Sequence, residues 1–213
     1  MKKVGITGNI GSGKSWVCQL FMRLGIPVFN SDDEAKRLYD RDEVRTAMVE
    51  RFGEDVYLAD GKVNKARVAD IIFKDAEAMH DVEQILYPVL HTVFDEWAEE
   101  QEDAPYVLYE SAIIFEKHLQ DRFDAIILVS ATEETRLRRV MFRDHCEEDE
   151  VRERMAMQWP EKEKRELADY IVEHDGDDED GLLLEQVMQI HESLVQSTKF
   201  HFFSKKMKKI ACA

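Results

Sequence analysis

Positive charge is what this 213-residue chain is short of: 29 Lys and Arg stand against 45 Asp and Glu, a formal charge of −16. Affinity for nucleic acid rests largely on neutralising phosphates, so a chain this acidic is expected to have no nucleic-acid partner. Cysteine is scarce as well. The three present, Cys18, Cys146 and Cys212, are an odd number without disulfide or metal spacing, and they fit a reducing compartment, read here as the cytoplasm. No run approaches the roughly 18 apolar residues of a spanning helix. The start, MKKVGITGNIG, has no apolar stretch fit for a secretory signal, so no stable membrane association is expected. The seven histidines show no ligand-like spacing, which gives no zinc site. Asp175-Gly176-Asp177-Asp178-Glu179-Asp180 starts like a calcium loop but has Asp180 where glycine is required and Gln186 at the closing position. What is present is 44% hydrophobic sequence, enough for one compact domain or a core with smaller insertions.

Short β-like runs alternate with helical ones, the pattern of an α/β fold with a mainly parallel sheet. Val4 to Thr7 reads as a buried strand. Beyond Lys14, the residues Val17, Leu20, Phe21 and Leu24 follow helical spacing up to Gly25. Ile26 to Phe29 reads as a second strand, and Ser31 with Glu34 as a capping box that opens a helix through Leu38. From residue 43 to 100 the chain is mostly helical: Val44, Met48 and Phe52 share one face, and Val82, Ile85, Leu86, Val89, Val93 and Trp97 another. Tyr106 to Tyr109 and Ala125 to Val129 are continuous apolar runs of the kind found in sheets covered on both faces. Residues 133 to 168 read as charged helices interrupted near Trp159-Pro160, Tyr170 to Val172 as a last strand and Leu182 to Val195 as a closing helix.

The sharpest signal is Gly8-Asn9-Ile10-Gly11-Ser12-Gly13-Lys14-Ser15, a full G-x-x-x-x-G-K-[ST] match between the first expected strand and the first expected helix. Glycines let successive backbone N–H groups turn toward phosphate oxygens, and the helix start behind them adds favourable dipole charge. Lys14 is placed to reach the β- and γ-phosphates, and the Ser15 hydroxyl to join a Mg²⁺ shell. A guanine-specific switch would carry N-K-x-D, yet Asn64-Lys65-Ala66-Arg67 has Arg67 in place of the aspartate. A small-molecule kinase and a regulatory ATPase both remain open. A kinase needs a carboxylate to accept the proton of the attacking hydroxyl. Asp32 and Asp33, just past the second strand at the edge where ligands bind in open α/β sheets, are both eligible, and both also suit a helix start. Arg136, Arg138, Arg139 and Arg143 concentrate positive charge in one helical stretch. They read either as a lid over a triphosphate or as a solvated face pairing with nearby acids.

These residues, with others downstream, resemble the dephospho-coenzyme A kinase family over about residues 1 to 195. The resemblance runs through Gly5 to Ser15, Leu24-Gly25 and Asn30-Ser31-Asp32. It continues through Phe52-Gly53, Asp60-Gly61-Lys62-Val63-Asn64-Lys65, Glu110 to Glu116 and Arg139 to Asp144, followed by Gln158 and Ala168-Asp169. It implies a P-loop nucleoside triphosphate hydrolase-like parallel-sheet core with a helical acceptor-binding insertion and a helical lid. The core would comprise 1–31, 104–137 and 169–198, the acceptor region 32–103 and the lid 138–168, with a basic tail at 199–213. It further implies phosphorylation of the ribose 3′-hydroxyl of dephospho-CoA by ATP with Mg²⁺, the last step of coenzyme A synthesis. By the same resemblance Asp32 is the base; Lys14, Arg139 and Arg143 balance developing charge; and Gly11, Ser12, Gly13, Lys14, Ser15 and Trp16 hold ATP. Ser15 lies in the Mg²⁺ shell, with Glu110 able to orient a metal-bound water although the family usually has aspartate there. Tyr87-Pro88 replaces a His-Pro pair, and His174-Asp175-Gly176 an asparagine-rich turn that borders the adenine. The sequence leaves oligomeric state open.

Overall fold

The short apolar runs pair as strands. A computed structural model describes residues 1–176 and 181–211, the side chains of residue 76 and of 197–211 aside. Strands β1 (Lys3–Thr7), β2 (Val28–Asn30), β3 (Val107–Glu110), β4 (Ala125–Ser130) and β5 (Tyr170–Glu173) form one sheet in the order β2-β3-β1-β4-β5. β1 runs parallel to β3 and to β4, and β4 parallel to β5. Every residue of β3 and β4 is buried, which is why those two runs are apolar without alternation. Calcium-loop positions 177–180 lie outside the described residues.

The chain divides into two compact units, Met1–Phe29 with Gln101–Ala213, and Asn30–Glu100. In the first unit the helices α1 (Lys14–Arg23) and α9 (Leu182–Ala211) join the sheet in one core. α1 contributes Val17, Leu20 and Phe21, and α9 contributes Leu183, Val187, Ile190 and Leu194, a spacing of four, three and four that keeps one face inward. Each such side chain taken fully from water stabilises by roughly 1.5–3 kcal/mol, so these stripes fix how the helices seat. α9 continues to Ala211, well past the Val195 expected from its apolar stripe, and the basic segment from residue 199 to 211 is backbone helix. Between β4 and β5 run α6 (Glu133–Asp144), α7 (Glu148–Ala156) and α8 (Glu161–Leu167), with Trp159 in the expected break.

The second unit holds α2 (Ser31–Leu38), α3 (Asp42–Phe52), α4 (Lys65–Lys74) and α5 (Ala76–Glu99). On α5 the fully inward row is Val82, Leu86, Leu90, Phe94 and Ala98, a strict i, i+4 series. Ile85, Val89, Val93 and Trp97, expected on that face, lie at its margin, half-buried. The expected capping box at the start of α2 does not form. Asn30 is the N-cap, and its side-chain oxygen accepts the Asp33 N–H at 2.9 Å. Ser31 instead sits buried in the first turn. An asparagine caps as well as a serine, and one residue earlier it leaves both aspartates in the first turn.

Candidate active site

The phosphate-loop sequence dictates an unusual helix start. Gly13 is the N-cap of α1 at φ 87°, has no side chain to cap with, and is followed by a first turn without an acid. The amides of Gly13, Lys14 and Ser15 donate to no described residue. A helix start left open in this way is an anion site, because unspent donors and the positive end of the dipole point to the same place. Packing enforces the glycines. A Cβ on Gly11, at φ 81°, would lie 2.5 Å from the Arg136 carbonyl oxygen, and one on Gly13 would lie 2.1 Å from His174 Nδ1.

Lys14 and Ser15 converge on a single acid at the end of β3. Glu110 Oε1 accepts from Lys14 Nζ at 2.7 Å and from Ser15 Oγ at 3.0 Å. Both Lys14 and Glu110 are largely withdrawn from water, so each depends on the other to offset lost hydration. Burial, and next the neighbouring Glu110, pushes the Cys18 thiol far up, which leaves that cysteine an unreactive packing group.

Arg139, on α6, reaches the loop from behind. Its Nη1 donates to the carbonyls of Ser12 at 3.3 Å, Gly11 at 3.4 Å and His174 at 2.9 Å, and its Nη2 to Gly176 at 3.1 Å. His174 Nδ1 lies 3.1 Å from the Ser12 carbonyl, so that nitrogen carries the proton in this contact. On the opposite side the turn between α7 and α8 meets the loop's first half. Ile10 N–H donates to Gln158 Oε1 at 2.7 Å, and Asn9 Nδ2 to the Trp159 carbonyl at 3.1 Å.

The structure therefore brings Gly11, Ser12, Gly13, Lys14, Ser15, Glu110 and Arg139 together. Trp16 is 42% exposed, with the Arg23 guanidinium 5.6 Å from its ring. Arg143 is not at the loop. Its Nε donates to Asp144 at 2.7 Å and the side chain is 63% exposed. Arg136 is buried, donating from Nε to the Ala131 carbonyl at 3.1 Å, and Arg138 is exposed. In the second unit Asp32 and Asp33 occupy the first turn of α2. Asp33 is engaged by Lys36 at 2.8 Å, and that hydrogen bond holds its carboxyl below the usual range. Asp32 is exposed and makes no ion pair or hydrogen bond with a described residue. The two acids that sequence spacing leaves open thus differ in their surroundings: Asp33 shares a surface ion pair with Lys36, and Asp32 does not.

Sequence reasoning carried Glu116 only as the last residue of a stretch shared with the family, without a role, and did not single out Lys164 at all. Lys164 is fully buried although it lies in the run Glu161-Lys162-Glu163-Lys164-Arg165-Glu166, which reads as solvated.

Comparison with known proteins adds the family to this phosphate-binding geometry. The family model described as dephospho-CoA kinase matches residues 2–180. A dephospho-CoA kinase of Bacteroides fragilis is 33% identical over 201 residues, covering 94% of this chain and 95% of that protein. One of Syntrophotalea carbinolica is 36% identical over 179 residues, covering 83% and 85%. A crystal structure of a Thermus thermophilus protein superposes with a TM-score of 0.77 at 32% identity, covering 92% of this chain and 97% of that one. With its phosphate loop, its parallel sheet and a family match across most of its length, the chain belongs to the dephospho-CoA kinase family.

Proposed function

We propose that the protein transfers the γ-phosphoryl group of ATP to the ribose 3′-hydroxyl of dephospho-CoA, completing coenzyme A synthesis in the cytoplasm. The observation that carries this reading is the open helix start at Gly13, Lys14 and Ser15, set beside a lysine and an acid and braced by an arginine. Within the ATP-binding stretch Gly11 to Trp16 the open backbone amides of Gly13, Lys14 and Ser15 hold the phosphates, and the Lys14 ammonium neutralises the charge that develops on them. For that, Lys14 turns from Glu110 toward the nucleotide.

Mg²⁺ fits the oxygen pair at the loop. The Ser15 hydroxyl and the Glu110 carboxylate stand 3.0 Å apart, and this metal takes few protein oxygens, keeping waters and substrate phosphates for its other positions. When bound it supplies charge neutralisation at the phosphates. Ser15 would hold it directly and Glu110 through water.

In this reading residues 32–103 receive the acceptor, 138–168 form the lid, and Asp32 accepts the 3′-hydroxyl proton as the oxygen attacks. Arg139 steadies the loop that carries the phosphates, and Arg143 joins the transferring group after leaving Asp144. The free thiols of Cys18 and Cys146 suit a reducing compartment.

The reading is tested by measuring ADP release from ATP with Mg²⁺, with and without dephospho-CoA and with nucleoside controls. Stimulation by dephospho-CoA alone is expected, and its absence sinks the acceptor assignment. Asp32→Asn is expected to lower kcat by about 10²–10⁴-fold with ATP affinity nearly unchanged, whereas Asp33→Asn stays near wild type. The reverse pattern would assign the base to Asp33.

A further inference from the structure

A buried charge pair stands behind the turn that grips the front of the phosphate loop. Lys164, on α8, has no exposed surface, and its Nζ donates to Glu116 Oε1 at 2.6 Å and to the Ala112 carbonyl at 3.3 Å. Burying an ammonium is costly, and burial acts first to lower the Lys164 pKa, against which the Glu116 hydrogen bond works. The same Glu116 oxygen also accepts the Trp159 N–H at 3.1 Å. Trp159 and its neighbour Gln158 are the two residues that hold Asn9 and Ile10.

One acid thus ties three things: the segment after β3, the buried lysine of α8, and the turn that touches the loop. Glu116 Oε2 is buried with no hydrogen-bond partner among the described residues, so all of the acid's bonding is concentrated on the oxygen that makes these ties. Charge-assisted bonds of this kind are shorter and more rigid than neutral ones, and sharing one acceptor couples them.

We propose that Glu116 and Lys164 are positioning residues for the phosphate loop, acting through the Gln158-Trp159 turn without touching either substrate. Gln158 pins the Ile10 peptide outward on the front of the loop while Arg139 holds the Gly11 and Ser12 carbonyls at the back. Just beyond the two pins, the Gly13, Lys14 and Ser15 amides stay open. Loss of the front pin leaves Asn9 and Ile10 to be ordered when nucleotide arrives, and that ordering weakens binding.

The inference rests on the nucleotide reading of the loop, so ATP binding by the wild-type protein is measured first, without acceptor; failure there is a failure of that reading and not of this one. Gln158→Ala, at a half-exposed position, is expected to weaken ATP binding about tenfold. Glu116→Gln should weaken it to a similar degree, and the double variant should be no weaker than the worse single, because both act on one route. Additive losses overturn the proposal, as does unchanged affinity in Gln158→Ala. Tighter binding in Gln158→Ala also overturns it, since Gln158 would then be competing with phosphate for the Ile10 N–H. Should Glu116→Gln fail to fold, Glu116→Leu with Lys164→Met removes both buried charges together, a replacement that buried pairs commonly tolerate. That pair is expected to keep its melting temperature and still lose ATP affinity, with KM for the acceptor unchanged; wild-type ATP affinity in it refutes the positioning role.

Discussion

The two turns of α6 that carry Arg139 and Arg143 lie one helical step apart, yet the two arginines do opposite things. Arg139 gives its guanidinium to main-chain carbonyls of the phosphate loop and of the segment after β5. Arg143, four residues on, is mostly in water and forks onto the side chain of the adjacent Asp144. Spacing alone puts both on one face. What separates them is the partner type: carbonyls belong to a backbone that must hold its shape, so Arg139 fixes geometry. A solvated carboxylate offers an exchangeable contact that water screens and that adds little stability. In a chain with so little positive charge, one arginine is committed to structure and the other is held by a surface ion pair alone among the described residues.

Substituting Arg139 makes that contrast measurable. Arg139→Met removes the donors behind Gly11 and Ser12, and hydrogen bonds to a charged group are each worth about 1.5–3 kcal/mol. A fall of about 100-fold in kcat/KM for ATP is expected, carried mainly by KM because a loosened loop binds the phosphates less well. Arg139→Lys should recover little of it. A single ammonium cannot span the Ser12, His174 and Gly176 carbonyls as the planar fork does. Full recovery in Arg139→Lys would show that charge, not geometry, is what Arg139 supplies.

Arg143→Ala is expected to act differently and less. Because Arg143 does not touch the loop here, KM for ATP should stay near wild type, while kcat falls about tenfold if the side chain reaches the transferring group during turnover. Steady-state kinetics of the two variants side by side give the decisive comparison. An Arg143→Ala enzyme with wild-type kcat confines Arg143 to its ion pair.

The same division explains what could be read in the sequence. The phosphate loop was legible because its constraint is local: eight consecutive residues, with glycines required by backbone contacts at Gly11 and Gly13. The helices and strands were legible because burial imposes a period, as the α9 row Leu183, Val187, Ile190 and Leu194 does. Partners across long stretches of chain were not. Lys14 and Glu110 are 96 residues apart, Arg139 and Ser12 are 127 apart, and nothing in the local sequence of either end names the other. Lys164 was hidden for another reason. Its neighbours in sequence are charged and exposed, so the one lysine that turns inward leaves no trace in the pattern, and only the position of Glu116 explains it. The cap of α2 moved by one residue because asparagine and serine are near equals at an N-cap, and tertiary burial of Ser31 decided between them.

The smallest effect is the sharpest probe of how freely Arg143 can leave. The carboxyl of Asp144 is lowered from the usual 3.8 to about 2, first by its hydrogen bond from Arg143 and then by Arg154, whose Nη1 lies 2.8 Å away. A carboxylate with a depressed pKa contributes stability above its ordinary range. That contribution fades as pH falls from near 3.8 through about 2, so the cluster is intact at neutral pH and lost only in strong acid. In Arg143→Ala the larger cause is gone while Arg154 remains. Asp144 should therefore titrate above 2 and still below 3.8, as followed by the NMR shift of its side-chain carboxyl carbon. A midpoint that stays near 2 would mean that Arg154 holds the acid alone. Asp144 would then have little hold on Arg143, and the second arginine of α6 would be freer to reach a phosphate than its ion pair suggests.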